Sequence, residues 1–442
     1  MTLANNTELL DQMSNSAFEK AKSFEIENIM EKWKKLLGIS LKVNNSKLRY
    51  MPKLLQINIC SAMLSTGKIT EDISKVAIRN GWDTYVAYGR FAKSSVSQQF
   101  RIGSQWDTYI HYLQHRLFDK EGLASRKATR VLIQQIQEIA PDIIHLHNIH
   151  DHYLNYPFLF EFLASIDTPV VWTQHDCWAF TGGCMYFDML NCGEWKSGCK
   201  CCPEKRALFG NRSKEQFRLK KECFAEIKNL TFVSVSDWLK GLFEESVQKN
   251  RRIETIHNGV DLQTFRPICA KSDKQFKILG VAAVWDKRKG LDDFLKLREM
   301  LPKDYKITLV GLTQKQVNVL PDGITGITRT TNVDELIQLY SNANVFVNPT
   351  YSDNFPTTNI EALACGTPVI TYKTGGSPEA VDDMTGIVIE QGNIDGLVNA
   401  IIQMKNNPLL SSACRKRAEM CFDKDKCYEK YIRLYKGELD NY

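Results

Sequence analysis

One stretch of the chain, residues 345–381, has the order strand, loop, helix, strand and glycine-rich loop. Its two apolar runs, Val345–Val347 and Val369–Tyr372, are typical of strands buried on both faces of a parallel sheet. Asp353 lies in the loop between them, and Glu361 follows eight positions later in the helix. Helix N-termini attract phosphate, and carboxylates accept hydrogen bonds from sugar hydroxyls. The segment therefore predicts a site for a phosphorylated, polyhydroxylated ligand.

The alternation of strand and helix occurs in two series along the chain. This predicts an α/β protein with two Rossmann-like domains that face each other across a cleft. A length of 442 residues also favours two domains. Strand candidates of the first series are Lys53–Cys60, Thr84–Tyr88, Pro141–Leu146, Val170–Thr173 and Thr231–Val235. Those of the second are Lys277–Val281, Ile307–Val310, Val345–Val347 and Val369–Tyr372. We place the joint between the series at Ile256–Pro267.

Charge and composition disfavour several classes of protein. The net charge of +6, with both signs mixed, does not suggest a nucleic-acid binder and is compatible with nucleotides or an anionic membrane surface. No run of about 18 apolar residues predicts a transmembrane helix, and the start of the chain lacks the apolar core of a signal peptide. We therefore expect a cytoplasmic protein whose 13 cysteines are mostly reduced or metal-bound.

The segment 345–381 resembles the signature of the GT-B-fold retaining glycosyltransferases of family 4, the group 1 glycosyl transferases. The shared pattern is an acid, seven residues and Glu361, followed by a helix of small residues and the run Gly366–Ile370. The first acid is usually Glu in the family and is Asp353 here, which keeps the charge and shortens the side chain. The resemblance covers roughly residues 50–442 and implies a hexosyltransferase.

The resemblance also implies the domain boundaries. Residues 50–250 would form an acceptor domain with a Cys-rich insert at 177–202. Residues 251–424 would form a nucleotide-sugar donor domain, which Asn258–Asp261 opens. The last helix of the family crosses back to the N-terminal domain, and residues 425–442 are expected to do so here.

On the donor domain, the resemblance implies a diphosphate site at Lys289, which matches the family's Lys-Gly pair. Val284 stands where the family has arginine, so Arg288 or Lys287 would supply the second cation. Two cations offset the charge of a diphosphate and stabilise it as a leaving group. The alternative is a solvated charge cluster at a helix start. Further expected diphosphate contacts are Phe355, Thr357 and Thr358.

The candidate catalytic residues are His175, Asp353 and Glu361. The resemblance implies that Glu361 holds the ribose, that Asp353 holds the sugar hydroxyls, and that His175 reaches the reacting centre. A structural role is the alternative for His175. Expected nucleotide or sugar contacts are Asn258, Gly259, Gly375, Gly376 and Glu379, and expected acceptor-side residues are Gly67 and His147. Gly67 is expected in a loop that follows the first strand and precedes an amphipathic helix. No cofactor is expected for catalysis, because no DxD-type metal motif is evident.

Two clusters could indicate a metal. The run of residues 145–152 contains His145, His147, His150 and His152, but a strand places the first two on one face, so we favour cleft or core roles. The insert contains six cysteines, of which Cys184, Cys192, Cys199 and Cys202 could hold a structural zinc ion. The alternative is free buried thiols. The insert is similar to that of exopolysaccharide transferases of the colanic-acid type.

Residues 1–49 are expected to form a helical extension. Within it, Phe24–Leu37 aligns without gaps with Phe422–Tyr435, and both have helical apolar spacing. The match suggests a relic of the closing tail of a preceding glycosyltransferase. The alternative is an amphipathic helix that packs on the surface or binds a partner or membrane.

Together these patterns predict transfer of a sugar from a nucleotide-sugar donor to a glycan or lipid-linked acceptor in bacterial surface or exopolysaccharide biosynthesis. We expect peripheral contact with the inner membrane face and no nucleic-acid partner. The main alternative, motivated by Val284 and Asp353, is a catalytically degenerate GT-B protein that binds nucleotide sugars or acts as a scaffold. A zinc hydrolase is disfavoured because no HExxH spacing occurs, and a dinucleotide oxidoreductase because no GxGxxG follows the first strand.

Overall fold

The computed structural model describes residues 50–200, 202, 207–268 and 275–440. The chain divides into a unit that ends at Tyr50 and a unit of Met51–Tyr442, and the fold below is that of the second unit. The helical extension expected at residues 1–49, with its similarity to a transferase tail, lies outside the described residues.

The strands of the described residues form two sheets in which every pairing is parallel. The first sheet contains β1 (Lys53–Ser61), β2 (Asp83–Ala92), β3 (Gln98–Arg101), β4 (Ile143–Leu146), β5 (Val170–Gln174), β6 (Leu230–Ser234) and β7 (Ile253–Thr255). The second contains β8 (Phe276–Val281), β9 (Tyr305–Val310), β10 (Ile324–Ile327), β11 (Val345–Asn348), β12 (Val369–Tyr372) and β13 (Gly386–Ile389).

Helices connect these strands. They are α1 (Leu64–Arg79), α2 (Gln105–Phe118), α3 (Arg126–Ile139), α4 (Tyr156–Ala164), α5 (Ser213–Ala225), α6 (Asp237–Glu245), α7 (Leu291–Met300), α8 (Gln314–Val317), α9 (Val333–Asn342), α10 (Thr357–Ala364), α11 (Ile394–Asn406), α12 (Ser411–Cys421) and α13 (Lys424–Asp440). None of these helices is both long and apolar enough to span a bilayer.

Both sheets have the doubly wound strand order of a Rossmann fold, which confirms the predicted fold class. The order is β3-β2-β1-β4-β5-β6-β7 in the first sheet and β10-β9-β8-β11-β12-β13 in the second. It therefore reverses between β1 and β4, and again between β8 and β11. Such sheets bind ligands beyond the carboxyl ends of their strands at this switch point. His147 follows β4 and Asp353 follows β11, so predicted site residues lie at both switch points.

The apolar runs chosen as strand candidates are confirmed as strands, with small differences at their ends. Five of them, β4, β5, β6, β11 and β12, are buried at every residue. Helices cover both faces of a parallel sheet, so central strands carry continuous apolar sequence rather than an alternating pattern. This is why simple runs of β-branched residues located these strands correctly.

The segment after β1 differs from the prediction. It is not a glycine loop, because Gly67 lies in the first turn of α1. Ala62 and Leu64 have positive φ angles of 54° and 58°, which reverse the chain sharply enough for the helix to begin at once. A Cβ atom at Gly67 would lie 3.0 Å from the Sγ of Cys60. Glycine therefore lets the helix start pack against the end of β1.

The last helix, α13, crosses back and completes the core of the first domain, as expected. It packs against α1, and the Tyr431 hydroxyl lies 2.9 Å from the Thr173 hydroxyl. Where the crossing begins, a Cβ atom at Gly259 would lie 2.3 Å from the Cα of Lys424, so only glycine allows this approach. The predicted nucleotide contacts of Gly259 and of the buried Asn258 stay predictions.

The connection between the two domains is short. The first sheet ends with β7 at Thr255, and the second begins at Phe276, so the chain crosses over residues 256–275, which include the predicted joint. The domain boundary expected at residue 250 lies before β7. Because β7 pairs with β6, it belongs to the first sheet, and the first domain extends beyond residue 250.

Candidate active site

The turn Lys287–Lys289 lies beyond the end of β8, at the switch point of the second sheet. Gly290 ends it with a φ of 72°, and a Cβ atom there would lie 2.2 Å from the carbonyl oxygen of Pro349. Glycine therefore lets the turn pack against the end of β11. The ammonium group of Lys289 forms an ion pair with the carboxylate of Asp353. Lys289, which is predicted to bind the diphosphate, and Asp353, which is predicted to bind the sugar, are therefore in direct contact.

Arg288 reaches the same loop through other contacts. Its guanidinium lies 4.7 Å from the centre of the Tyr186 ring and donates to the carbonyl oxygen of Ser352 at 3.1 Å. Tyr186 belongs to the Cys-rich insert of the first domain, so this contact spans the cleft. Val284, where the family has arginine, is 62% exposed. Arg288 therefore places a second cation next to the loop that carries Asp353.

The start of α10 provides the helix N-terminus predicted for a diphosphate. Pro356 stands at the N-cap, and among the described residues no side chain caps the helix, so its first N–H groups and the positive end of the helix dipole are available to a ligand. Thr357 and Thr358 in this first turn are half-buried. The Phe355 ring packs inward instead, 4.9 Å from the ring of His257 and 5.8 Å from that of Phe422. Phe355 can therefore contact a diphosphate only through its backbone.

Glu361 lies in the second turn of α10. The Tyr340 hydroxyl donates to its Oε2 at 3.0 Å. Burial of the carboxyl group raises the pKa of Glu361 to about 7, while the Tyr340 hydrogen bond and the ammonium group of Lys68 act in the opposite direction. Lys68 comes from α1 of the first domain, so both domains influence this carboxyl group. Asp353 and Glu361 thus have separate protein partners.

The glycine loop Gly375–Gly376 packs against the backbone of the Asp353 loop. A Cβ atom at Gly375, whose φ is 53°, would lie 1.8 Å from the carbonyl oxygen of Asp353. One at Gly376 would lie 2.1 Å from that of Asn354. The N–H of Gly376 donates to the Asp353 carbonyl oxygen at 3.2 Å. The two glycines therefore shape the backbone that carries Asp353, and their contact with a nucleotide stays a prediction.

Glu379 connects the two domains. The N–H groups of Asp237 and Trp238, at the start of α6, donate to its carboxylate at 2.9 and 2.8 Å, and the Nε2 of His257 lies 2.8 Å from it. Among the described residues, the ligand atoms of Asp237, His257 and Glu379 are close enough together to hold a metal ion. Because the Glu379 carboxylate already accepts from three donors, we interpret the group as an interdomain polar contact.

Gln56, His147 and His175 form a hydrogen-bonded chain at the switch point of the first sheet. The amide nitrogen of Gln56 donates to the Thr70 carbonyl oxygen at 3.0 Å, so its Oε1 accepts from the Nε2–H of His147, also at 3.0 Å. Burial lowers the pKa of both rings, that of His175 to about 4, so both are neutral at neutral pH.

The protonation of this chain fixes the tautomer of His175. Because the Nε2 of His147 carries its proton, the Nδ1 of His147 accepts from the Nε2–H of His175, which lies 3.2 Å away. The Nδ1 of His175 is then the acceptor nitrogen of a neutral ring. A sugar hydroxyl is a suitable donor to such a nitrogen, which agrees with the role predicted for His175.

The other histidines of the run 145–152 have structural partners. His145 lies 2.8 Å from the Thr173 hydroxyl and 2.6 Å from the Tyr435 hydroxyl, inside the core. His150 lies 2.8 Å from Asp176, which raises the pKa of its ring against the effect of burial. Within the described residues, no group of three close ligand atoms includes them. The core role predicted for His145 agrees with these contacts.

Two more hydrogen bonds cross the cleft between the first domain and the loop that carries Asp353. The Ser352 hydroxyl donates to Oδ1 of Asp188 at 2.6 Å, and the Asn354 amide donates to the His175 carbonyl oxygen at 2.7 Å. No sequence pattern had indicated Asp188, Tyr186 or Lys68 as site residues. Contacts between domains leave no local sequence pattern. The one available signal was that Asp188 lies within the Cys-rich insert.

Two family models match the chain. The model of the Glycosyltransferase Family 4 domain matches residues 67–264, and that of the Glycosyl transferases group 1 domain matches residues 263–420. The two matches meet where the chain passes from the first sheet to the second, so each model covers most of one sheet.

Known proteins resemble the chain over most of its length. A colanic acid biosynthesis glycosyl transferase named WcaC, of Escherichia coli K12, is 24% identical over 420 residues, which are 87% of this chain and 99% of WcaC. The sucrose-phosphate synthase of Thermosynechococcus elongatus matches with a TM-score of 0.67 and 17% identity, over 88% of this chain and 100% of that one. HepE of Anabaena, solved with UDP, matches with a TM-score of 0.59 and 14% identity, over 87% and 100%. These structures support the two-domain fold.

Proposed function

The chain belongs to the glycosyltransferases of family 4 and group 1, and on that premise we propose that it moves a sugar from a nucleotide-sugar donor to a glycan or lipid-linked acceptor, with retention of anomeric configuration. The similarity to WcaC favours surface or exopolysaccharide assembly as the setting. The observation that carries the proposal is the pairing of Lys289 with Asp353 at the switch point, next to the uncapped start of α10.

The donor diphosphate is proposed to bind where positive charge converges. Lys289, Arg288 and the N–H groups at Thr357 and Thr358 all lie around the Asp353 loop. These groups offset the charge that develops on the leaving nucleoside diphosphate, which stabilises the transition state without a metal ion. HepE, a structural neighbour, was solved with UDP, which supports a nucleoside diphosphate as the leaving group.

The sugar and ribose are proposed to bind through carboxylates. Asp353 would accept from the sugar hydroxyls, and its ion pair with Lys289 would hold the carboxylate in position while the ammonium group meets the diphosphate. Glu361, held by Tyr340, would accept from the ribose hydroxyls. Nδ1 of His175, which belongs to the first domain, would accept a hydrogen bond from a hydroxyl of the sugar. The site would then be complete only when both domains close on the donor.

A panel of nucleotide sugars tests the proposal. Each donor is scored for thermal stabilisation of the protein and for nucleotide release, with and without lipid-linked acceptors, and the product anomer is assigned by NMR. We expect one donor class both to stabilise the protein and to be consumed, with the configuration retained. Stabilisation without turnover under every condition would instead support a binding or scaffold role. This is the alternative hypothesis that the exposed Val284 motivates.

We further propose that α2 contacts an anionic membrane surface, where a lipid-linked acceptor would be found. Its apolar residues Trp106, Tyr109, Ile110 and Leu113 recur at helical spacing and are 44–74% exposed, and the buried residue of this helix is His111. The apolar stripe thus points away from the core, which is the reverse of an ordinary surface helix. Trp and Tyr suit the membrane interface, because their rings are apolar with a polar edge.

Neighbouring residues extend this face. Leu208 and Phe209, 72% and 66% exposed, are hydrogen-bonded through their N–H groups to the end of α2 at Arg116 and Leu117. Arg116 is exposed, and Lys120 lies 6.0 Å from the ring of Phe118. Basic side chains beside an apolar stripe favour an anionic bilayer over a neutral one.

Replacing Trp106 and Leu113 together by serine is expected to weaken binding to vesicles that contain phosphatidylglycerol. The loss should be roughly tenfold for each side chain, since each withdraws apolar surface from water on binding. Co-sedimentation measures the loss, and Met420→Ser on α12 is the control, because Met420 is an apolar residue whose exposure of 67% lies between those of Trp106 and Leu113. Unchanged binding of the double variant, or equal loss in the control, would exclude α2 as the contact.

A further inference from the structure

The Cys-rich insert has almost no regular structure of its own. Between the end of β5 at Gln174 and the start of α5 at Ser213, its described residues form three single helical turns, Trp178–Phe180, Asp188–Leu190 and Glu194–Lys196. Its aromatic side chains anchor it on the first domain, with the Phe187 and Trp195 rings 4.8 Å apart and the Phe180 ring 4.8 Å from that of Phe243 on α6. Segments of this kind usually depend on a disulfide or a metal ion for a fixed structure.

Four thiols of the insert meet at one pocket. Cys184, Cys192, Cys199 and Cys202 line it, together with Gly182, Phe187, Glu194, Trp195 and Lys200. Cys184 and Cys202 are in side-chain contact, and the N–H of Gly182 donates to the Sγ of Cys199 at 3.1 Å. A Cβ atom at Gly182 would lie 2.7 Å from that of Cys199, so glycine is required for this N–H to reach the sulfur. Donation from backbone N–H groups is the kind of outer contact that orients metal-bound ligands.

We propose that Cys184, Cys192, Cys199 and Cys202 bind a structural zinc ion. Four thiolate ligands suit zinc or iron, and closed tetrahedral zinc sites of this composition are structural rather than catalytic. The final pair has the Cys-x2-Cys spacing common in such sites. The assignment concerns the fold of the insert and does not rest on the sugar-transfer reaction proposed above.

A buried lysine next to the pocket agrees with this chemistry. Lys220 on α5 is 1% exposed, and its ammonium group donates to the carbonyl oxygens of Trp178 and Thr181 at 2.7 and 3.2 Å. Zinc with four thiolates carries net negative charge, so a buried cation alongside it lowers the electrostatic cost of both groups.

Metal binding would also bring the four thiol side chains of the insert closer together. In the described part of the chain, no three of the four thiols lie within 4.8 Å of one another, so their side chains must move inward around the ion. Binding and ordering of the insert are then coupled, as in other small metal-dependent folds. Since Tyr186 and Asp188 lie between the first two ligands, the zinc ion would hold these two residues against Arg288 and Ser352 of the donor domain.

Metal analysis of the full chain, purified without chelator, tests the proposal. We expect about one zinc ion per chain, and after exchange with cobalt an absorption spectrum with the charge-transfer bands of tetrahedral thiolate coordination. Cys199→Ser and Cys202→Ser should each lower the zinc content strongly. Cys223→Ser, which changes a partly buried thiol of α5 outside the pocket, should leave it unchanged.

Three results would overturn the assignment. One is a wild-type chain that is purified without metal and whose four pocket thiols react equally fast with an alkylating reagent in the absence and in the presence of added zinc. Another is a Cys184–Cys202 disulfide found by mass spectrometry in protein from the reducing cytoplasm. The third is zinc that stays bound in both ligand variants. The cobalt spectrum of the wild-type chain decides the matter even if the serine variants fail to fold.

Discussion

Replacing Lys289 by alanine is expected to lower the rate of sugar transfer by about 100- to 1,000-fold. This is the usual effect of removing one positioned donor that stabilises charge in a transition state. The ammonium group of Lys289 is paired with Asp353 at the switch point, so its loss removes the cation from the diphosphate and also frees the carboxylate that should hold the sugar. The measurement is kcat with the donor found in the panel.

Lys287→Ala is the matched control for this variant. Lys287 lies in the same turn and carries the same charge, but its side chain is exposed. It should therefore keep nearly wild-type activity. Equal losses in the two variants would show that the turn acts only through its general positive charge, and the role assigned to Lys289 would be wrong.

Donor binding is expected to strengthen as the pH rises through about 7, and Glu361→Gln should remove this dependence. Burial raises the pKa of Glu361 to about 7, so below this pH its carboxyl group is largely protonated and is a weaker acceptor for ribose hydroxyls. Above it the carboxylate forms charge-assisted hydrogen bonds, which are worth about 1.5–3 kcal/mol. The substitution should thus weaken nucleotide binding at pH 8 by about 10- to 100-fold.

Calorimetric titration of the nucleotide at several pH values measures both effects. Tyr340→Phe provides a second check, because the Tyr340 hydrogen bond lowers the pKa of Glu361, and its loss should move the midpoint to higher pH. Glu299→Gln, on the exposed face of α7, should leave affinity and midpoint unchanged. A wild-type pH profile without a step near 7, or a step that persists in Glu361→Gln, would contradict the assignment.

The sequence could predict the parts of the fold that depend on local pattern. Apolar runs marked the buried strands because parallel strands covered by helices need continuous apolar sequence. The spacing of Asp353 and Glu361 placed one acid at a strand end and the other on the following helix, as the structure has them. The turn of Lys289 and Gly290 was located through its resemblance to the family's Lys-Gly pair, and the left-handed φ of 72° at Gly290 explains why glycine stands there.

The sequence could not predict contacts between distant segments. Gly67 was expected in a loop, but the strained residues Ala62 and Leu64 bring it into a helix. Gly375 was expected to approach a ligand, and its lack of a side chain also admits the Asp353 carbonyl oxygen, a contact that the sequence did not indicate. Asp188 contacts a donor-domain hydroxyl from 164 residues away along the chain. Such partners are set by how the two domains meet, which no local pattern records.

The return of α13 to the first domain affects how the protein can be made. The Tyr435 hydroxyl lies 2.6 Å from Nδ1 of the buried His145 ring, so a group in the middle of the first sheet has one of its two hydrogen-bond partners in the last helix. Domains usually fold in the order in which they leave the ribosome. Here the first domain cannot complete its interior until nearly the whole chain has been synthesised. During translation, the apolar surface that α13 later covers therefore stays exposed to water until the end of the chain is made.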